Sequence, residues 1–177
     1  MSASLRRRVA VPIVLGLTTL VATAGALFHR AQQRALQDQR DADLAAMDAF
    51  VRSKLRSEAF LLEAVLRTLA VNETLQEPFR TGDRTALLDE AGPIFEDLRA
   101  NHRITHLYFS DLDRVNVLRV HRPEQFGDTI PRQTTLDAER TGQVARGVEV
   151  GRLRGLTTLR VVLPWVVDGE RVGYLGL

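Results

Sequence analysis

Two arginines stand where apolar residues are expected. Arg119 interrupts the run Val115-Asn116-Val117-Leu118-Arg119-Val120-His121, and Arg160 lies between Leu159 and Val161 in the run 157–163. Both runs are rich in β-branched residues and read as strands. A strand's period of two puts Val115, Val117, Arg119 and His121 on one face and Asn116, Leu118 and Val120 on the other. A guanidinium fork binds carboxylate or phosphate oxygens bidentately, so two such arginines on one sheet suit a small anion. Ligand sites are mostly apolar with few polar groups. Tyr108, Phe126 and Trp165 are the candidate walls, with His121 and Glu149 as further candidate contacts. A purely structural reading stays open beside this one, in which Arg119 and Arg160 pair with Glu149, Asp128 or Asp111.

Other chemistry finds little support. His102 and His106 have the spacing of a zinc pair on a helix, but the segment turns into a strand and no nearby glutamate completes a set. A histidine could respond to pH, since its reference pKa is about 6.5, yet nothing in the sequence selects one. The chain has no cysteine, which excludes disulfides, thiolate-held zinc, iron–sulfur clusters and thioether-linked haem. No G-x-S-x-G, P-loop or H-E-x-x-H is present. Gly142 to Gly147 precedes a strand and makes no phosphate loop. Neither a cofactor nor an enzymatic activity is expected. The formal net charge is +2 and the charges are interspersed. A nucleic-acid binder would show a clustered basic face, so none is expected.

The elements that must carry these residues divide the chain. Residues 1–8 hold Arg6, Arg7 and Arg8; residues 9–28 carry no charge. At 1.5 Å per residue that run spans roughly 30 Å, the thickness of a bilayer's hydrocarbon core. Thr18, Thr19 and Thr23 can return their hydroxyls to the helix's own carbonyls. A retained transmembrane helix and a cleaved signal peptide are both open. The arginine cluster favours a cytoplasmic N-terminus, which puts the remainder in the periplasm or outside the cell. Residues 29–71 contain no proline or glycine and are dominated by helix formers. Apolar side chains recur at Leu44, Met47, Val51, Leu55, Leu62, Val65 and Leu69, a heptad-like seam broken by Glu58. That pattern predicts a stalk helix. It pairs in a parallel homodimer or packs as a core helix. From Ala59 the apolar face widens through Phe60, Leu61, Leu62, Val65 and Leu66, as for a helix against a domain. Asn72 is the expected C-cap.

Residues 72–177 read as one compact domain. Short helices are expected around Thr81-Gly82-Asp83 and from Gly92-Pro93. Strands are expected over 104–109 and 115–121, a loop over 121–133 and a helix over 136–141 closed by Gly142. Three further strands are expected over 144–150, 157–163 and 171–177. Gly151 and Gly155 bound one turn and Asp168-Gly169 the other, with Pro164 and Trp165 at the last bend. The fold class is therefore α+β: a five-stranded antiparallel sheet packed on the long N-terminal helix, preceded by one transmembrane helix.

The stretches HLYFSDLDRVNVLRVHRPEQFGD, TLDAERTG, GVEVGRLRGLTTLRVVLPW and GERVGYLGL resemble Cache-type extracytoplasmic sensor domains. The subfamily they resemble is the double Cache sensory domain of two-component kinases, chemoreceptors and diguanylate cyclases. The resemblance covers about residues 40–177. It implies a PAS-like sheet on a long helix, a small-molecule ligand, a second membrane span and a cytoplasmic output domain. This chain stops at Leu177 with one PAS-like unit, so a fragment or a truncated relative is expected. The resemblance supports a pocket on this sheet face. Two functions follow as expectations. One is a receptor's ligand-sensing domain that captures a carboxylate through the loop 121–133 and signals by helix movement. The other is an anchored coiled-coil protein whose globular head binds another protein.

Overall fold

The computed structural model describes residues 3–150 and 157–177, with side chains from residue 11 onward. Helix α1 runs over Ala3–Ala70 and is followed by α2 (Glu73–Thr81) and α3 (Arg84–His102). Then come β1 (Tyr108–Ser110), β2 (Asn116–Arg119), α4 (Gln133–Thr141), β3 (Ala145–Val150), β4 (Thr157–Val167) and β5 (Glu170–Gly176). The chain forms two compact units, Met1–Arg52 and Ser53–Leu177.

The first unit is helix alone. From Val11 onward, α1 is long and apolar enough to cross a membrane. Its threonine hydroxyls return to the backbone: Thr19 Oγ1 donates to the Leu15 carbonyl and Thr23 Oγ1 to the Thr19 carbonyl, each at 2.8 Å. Those bonds let threonine sit in an apolar span without an unmet polar group. Leu44, Met47 and Val51 of the expected seam are exposed.

The second unit is a five-stranded antiparallel sheet in the order β2-β1-β5-β4-β3, with helices on both faces. One face makes the core. Phe109, Leu118, Val161, Leu163, Trp165 and Leu175 meet Leu66 and Leu69 of α1, Phe79 of α2 and Phe95 of α3. Phe60 and Leu61, expected in the packed face of α1, are exposed, while Ala59 is buried. The helix turns a narrower stripe inward than its composition suggested. Glu63 is buried on that stripe and takes hydrogen bonds from Arg67 and from Arg146 of β3. Burial works to raise its pKa, but those two guanidiniums outweigh it and hold the carboxyl below its ordinary range.

Several local expectations need correction. Asn72 serves both helices: its amide donates to the Leu69 carbonyl at the end of α1 at 3.1 Å, and its Oδ1 caps α2 by accepting from the Thr74 amide at 3.0 Å. Gly92-Pro93 starts no new helix and lies inside α3, where Leu87, Ala91, Phe95 and Leu98 are buried at helical spacing. That packing outweighs one missing amide proton. Pro164 and Trp165 are inside β4 and not at a bend. β3 pairs with β4 only as far as Val162, so Pro164 has no β3 partner to disappoint. The hairpin closes at Asp168-Gly169, both left-handed (φ 53° and 83°), as a tight antiparallel turn requires. The Gly151–Gly155 turn lies outside the described residues. β1 and β2 are shorter than expected, because the following loop takes over as partner. The Asn116 amide donates to the Asp128 carbonyl, and the Gly127 and Ile130 amides donate to the Asn116 and Arg114 carbonyls. The loop is therefore laced to the edge of the sheet and not loose.

Candidate functional site

The sheet's second face is where charge collects. Strand alternation and register bring β2 and β1 side chains together there, with Tyr108 directly opposite Arg119. Leu118 and Val120 point into the core on the other side, so Arg119 and His121 share this outer face. On β4, Arg160 pairs in register with Gly147 of β3. Its neighbours in sequence, Leu159 and Val161, belong to the core side. The α4 segment covers part of the face: Ala138 packs with Ala145, Val162 and Tyr174. Gly147 makes that approach possible, since a Cβ there would come within 2.9 Å of Thr134 Cγ2.

Tyr108 is the centre of the group. The Arg160 guanidinium stands 4.7 Å from its ring centroid and that of Arg119 stands 5.9 Å away. His106 stacks on the ring with centroids 5.9 Å apart, and His121 meets it edge-on at 4.9 Å. The two imidazoles are 4.4 Å apart. Burial first, and then the nearby arginines, push both imidazoles toward the neutral form, with the charge of His106 adding to the effect on His121. His121 falls to about 4 and His106 shifts the same way.

The two arginines differ in how they are held. Arg119 is committed: Nη1 and Nη2 donate to the two carboxylate oxygens of Asp128, both at 2.7 Å, and Nη1 also donates to the Gln125 carbonyl at 2.8 Å. This fork-to-fork pair is the strong form of a charged hydrogen bond. It holds Asp128 well below the ordinary carboxylate range. Arg160 is not committed. Its side chain is only 9% exposed, yet among the described residues its one charged partner is Glu149, with Nε 3.8 Å from Oε2. That distance is an ion pair without a hydrogen bond. Glu149 is anchored through its other oxygen, which accepts from the Thr134 amide at 2.9 Å and hydroxyl at 2.8 Å. Its Oε2 is buried with no hydrogen bond among the described residues, and Arg132 Nη1 is 3.7 Å from it. A donor fork and an acceptor oxygen thus face each other across a gap that neither closes.

Of the residues expected from sequence, Tyr108, Arg119, His121, Glu149 and Arg160 come together on this face. The pairing reading is met in part, as Arg119 with Asp128 and Arg160 with Glu149. Two expectations need correction. Trp165 is fully buried on the opposite, core face, against Phe79 and Phe109, and its indole N–H donates to the Ala70 carbonyl at 2.9 Å. Phe126 is exposed on the loop, with the Arg84 guanidinium 3.8 Å above its ring. Three members of the group, His106, Arg132 and Thr134, went unassigned. His102 sits exposed at the end of α3, and no metal-binding cluster of three or more ligands occurs among the described residues.

The model of the double sensory domain of two-component sensor kinases matches residues 33–177. The chain belongs to the double Cache family. No curated protein matches it. This Cache domain is similar in fold to the sensor domain of DcuS from E. coli (18% identity, TM-score 0.56, covering 69% of this chain and 87% of that one). A sensory box/GGDEF family domain from Vibrio parahaemolyticus has 19% identity and TM-score 0.51, covering 73% of this chain and 56% of that one. The sensor domain of the histidine kinase DctB from V. cholerae has 14% identity and TM-score 0.52, covering 71% and 52%. The chain thus spans little more than half the length of the two Vibrio domains. Its own Cache fold is the one the sequence stretches resembled, an α+β sensor module on a long helix.

Proposed function

We propose that this Cache domain is the extracytoplasmic ligand-sensing part of a membrane-anchored bacterial receptor of histidine-kinase, chemoreceptor or diguanylate-cyclase type. Its ligand is a small anion, a carboxylate, seated on the outer sheet face. Residues 1–8 are cytoplasmic, 9–28 cross the inner membrane, 29–71 form the stalk and 72–177 sense in the periplasm. The observation that carries the reading is Arg160. Its guanidinium is largely buried, its ion pair with Glu149 is stretched to 3.8 Å, and the Glu149 oxygen it faces is buried without a hydrogen bond among the described residues, so the fork keeps donors for a further partner. A ligand carboxylate against Arg160, walled by Tyr108 and His121, meets them. Arg119 then acts through the loop, fixing Asp128 and Gln125 beside the ligand. Ligand beside Arg160 on this face shifts β4 against the part of α1 that packs on the sheet, and signalling follows by helix movement. The exposed seam residues Leu44, Met47 and Val51 support a homodimer through α1.

The test is a thermal-shift screen of the full chain in detergent against mono- and dicarboxylates, amino acids and phosphate compounds. A ligand at a hundred times its Kd stabilises by about 2.7 kcal/mol. A hit that disappears in Arg160→Ala supports the reading. A hit unchanged in that variant refutes the site. A second reading, a head that binds another protein, has one observation behind it. A groove of about 410 Å³ lies between Leu55, Ala59 and Phe60 of α1 and Val148 and Leu159 of β3 and β4. Loss of a pulled-down partner on Phe60→Asp, with the screen silent, would favour it.

A further inference from the structure

The histidine pair lies against the proposed anion site, with both rings on Tyr108. His106 comes from the segment before β1, and His121 from just after β2, so each side of that hairpin contributes one imidazole. Their centroids are 4.4 Å apart and both rings contact Tyr108. Phe95 of α3 closes the remaining side of His121 at 6.3 Å. His121 Nδ1 is buried with no hydrogen-bond partner among the described residues. Thr105 Oγ1 lies 2.7 Å from His106 Nδ1.

The charged groups that act on the pair are cations: Arg119 on β2, Arg122 in the loop, Arg132 before α4 and Arg160 on β4. The carboxylates on this face already have cationic neighbours, Asp128 hydrogen-bonded to Arg119 and Glu149 in longer ion pairs with Arg132 and Arg160. From α3 it is the uncharged Phe95 ring that meets His121. An imidazolium formed here would sit among like charges, with the Leu107 backbone as the neighbour that favours it at His121. A bound anion changes that balance, because its negative charge offsets the arginines and gives a protonated ring a partner.

We propose that anion binding at this face is coupled to uptake of one proton from solvent by the His106–His121 pair, so that the receptor responds to its ligand and to acidity together. The proposal rests on the anion-site reading above. Two imidazoles this close do not both charge, so the stoichiometry is one proton per site. The sign follows from linkage. The proton binds better to the liganded protein, so by reciprocity the anion binds better to the protonated protein, and affinity rises as pH falls. With His121 at about 4 in the empty site, full restoration to about 6.5 on binding corresponds to roughly a 30-fold gain in affinity between pH 7.5 and 5.

The experiment uses the full chain in detergent micelles and sodium sulfate as the probe, because sulfate does not titrate in this range. Sodium chloride at matched ionic strength is the control. The chain has four histidines, so the imidazole C2–H resonances can be followed singly by NMR and assigned with His106→Gln and His121→Gln. His29 and His102 are exposed and serve as internal references. The expected result is that the His106 and His121 resonances titrate at higher pH with sulfate than with chloride. Sulfate affinity by thermal shift then rises up to about 30-fold from pH 7.5 to 5, and the dependence flattens in His121→Gln. Sulfate that binds equally at both pH values, without moving either resonance, overturns the proposal and leaves the anion site standing. Sulfate that fails to bind, or that binds Arg160→Ala as well as the wild type, overturns both.

Discussion

The gap between Arg160 and Glu149 gives a sharp double-variant prediction. Nε and Oε2 are 3.8 Å apart with side chains 9% and 13% exposed, so at an effective dielectric constant of 20 their attraction is about 4 kcal/mol. Replacing Arg160 with Met removes that attraction and leaves a buried carboxylate oxygen with only Arg132, at 3.7 Å, to offset it. Breaking one side of a buried pair costs about 3–5 kcal/mol. Arg132 moderates this, and Arg160→Met should lose about 2–3 kcal/mol, a fall in Tm of about 10 °C for a domain of this size. Adding Glu149→Gln should return stability to within about 1 kcal/mol of wild type. The amide carbonyl of a glutamine can still accept from the Thr134 amide and hydroxyl. The chain's single tryptophan, Trp165, is buried on the core face away from the site and reports unfolding by its fluorescence. A neutral Arg160→Met, or a double variant as unstable as the single one, would refute the view that these two charges depend on each other. If the reasoning holds, the double variant is stable and no longer responds to anions.

Two further predictions follow from the site's neighbours. His121 has its folded pKa depressed to about 4, so the unfolded chain takes up its proton first: stability is full above about pH 6.5 and falls by about 2–3 kcal/mol as pH drops toward 4, a slope that should flatten in His121→Gln when urea unfolding is measured at each pH. Asp128→Asn should cost about 1 kcal/mol, because Asp128 is half-exposed and its pair with Arg119 is partly screened; hydrogen exchange at the Gly127 and Ile130 amides should quicken, and unchanged exchange would remove the latch role.

How far the sequence reached depends on periodicity. Strand alternation put Arg119 and His121 on one face and out of the core, and the structure agrees even though β2 is only four residues long. The same parity, carried along β4, would have put Trp165 opposite to Arg160. It was grouped by residue type and by an assumed bend, and alternation would have assigned it to the core. The same rule applied from Tyr108 would have included His106, which was weighed only against a zinc template. Phe126 and Arg132 sit in a loop without a period, and no local signal fixes where such residues face. Thr134 enters through the close seat of α4 on Gly147, a tertiary contact. The breakers Gly92-Pro93 and Pro164 sit inside elements for two physical reasons. In α3, burial of a regular apolar pattern on either side outweighs a single missing hydrogen bond, and at Pro164 the β3 side of β4 has no partner to lose.

The charges on the outer face explain why binding and protonation should be tied together there. Three partly or largely buried arginines, Arg119, Arg132 and Arg160, face two carboxylates, Asp128 and Glu149, with both histidines held toward the neutral form. Arg122, the fourth cation near the histidines, is exposed and screened by solvent, so against the three arginines that line the face a monoanion brings the group to balance. A dianion overshoots, and the group that can restore balance without moving the backbone is the imidazole pair at the edge of Tyr108. Proton uptake should therefore be greater for doubly charged ligands than for singly charged ones. Isothermal titration in buffers of different ionisation enthalpy separates the two classes, and equal uptake for both would mean that the arginines, and not the histidines, absorb the extra charge.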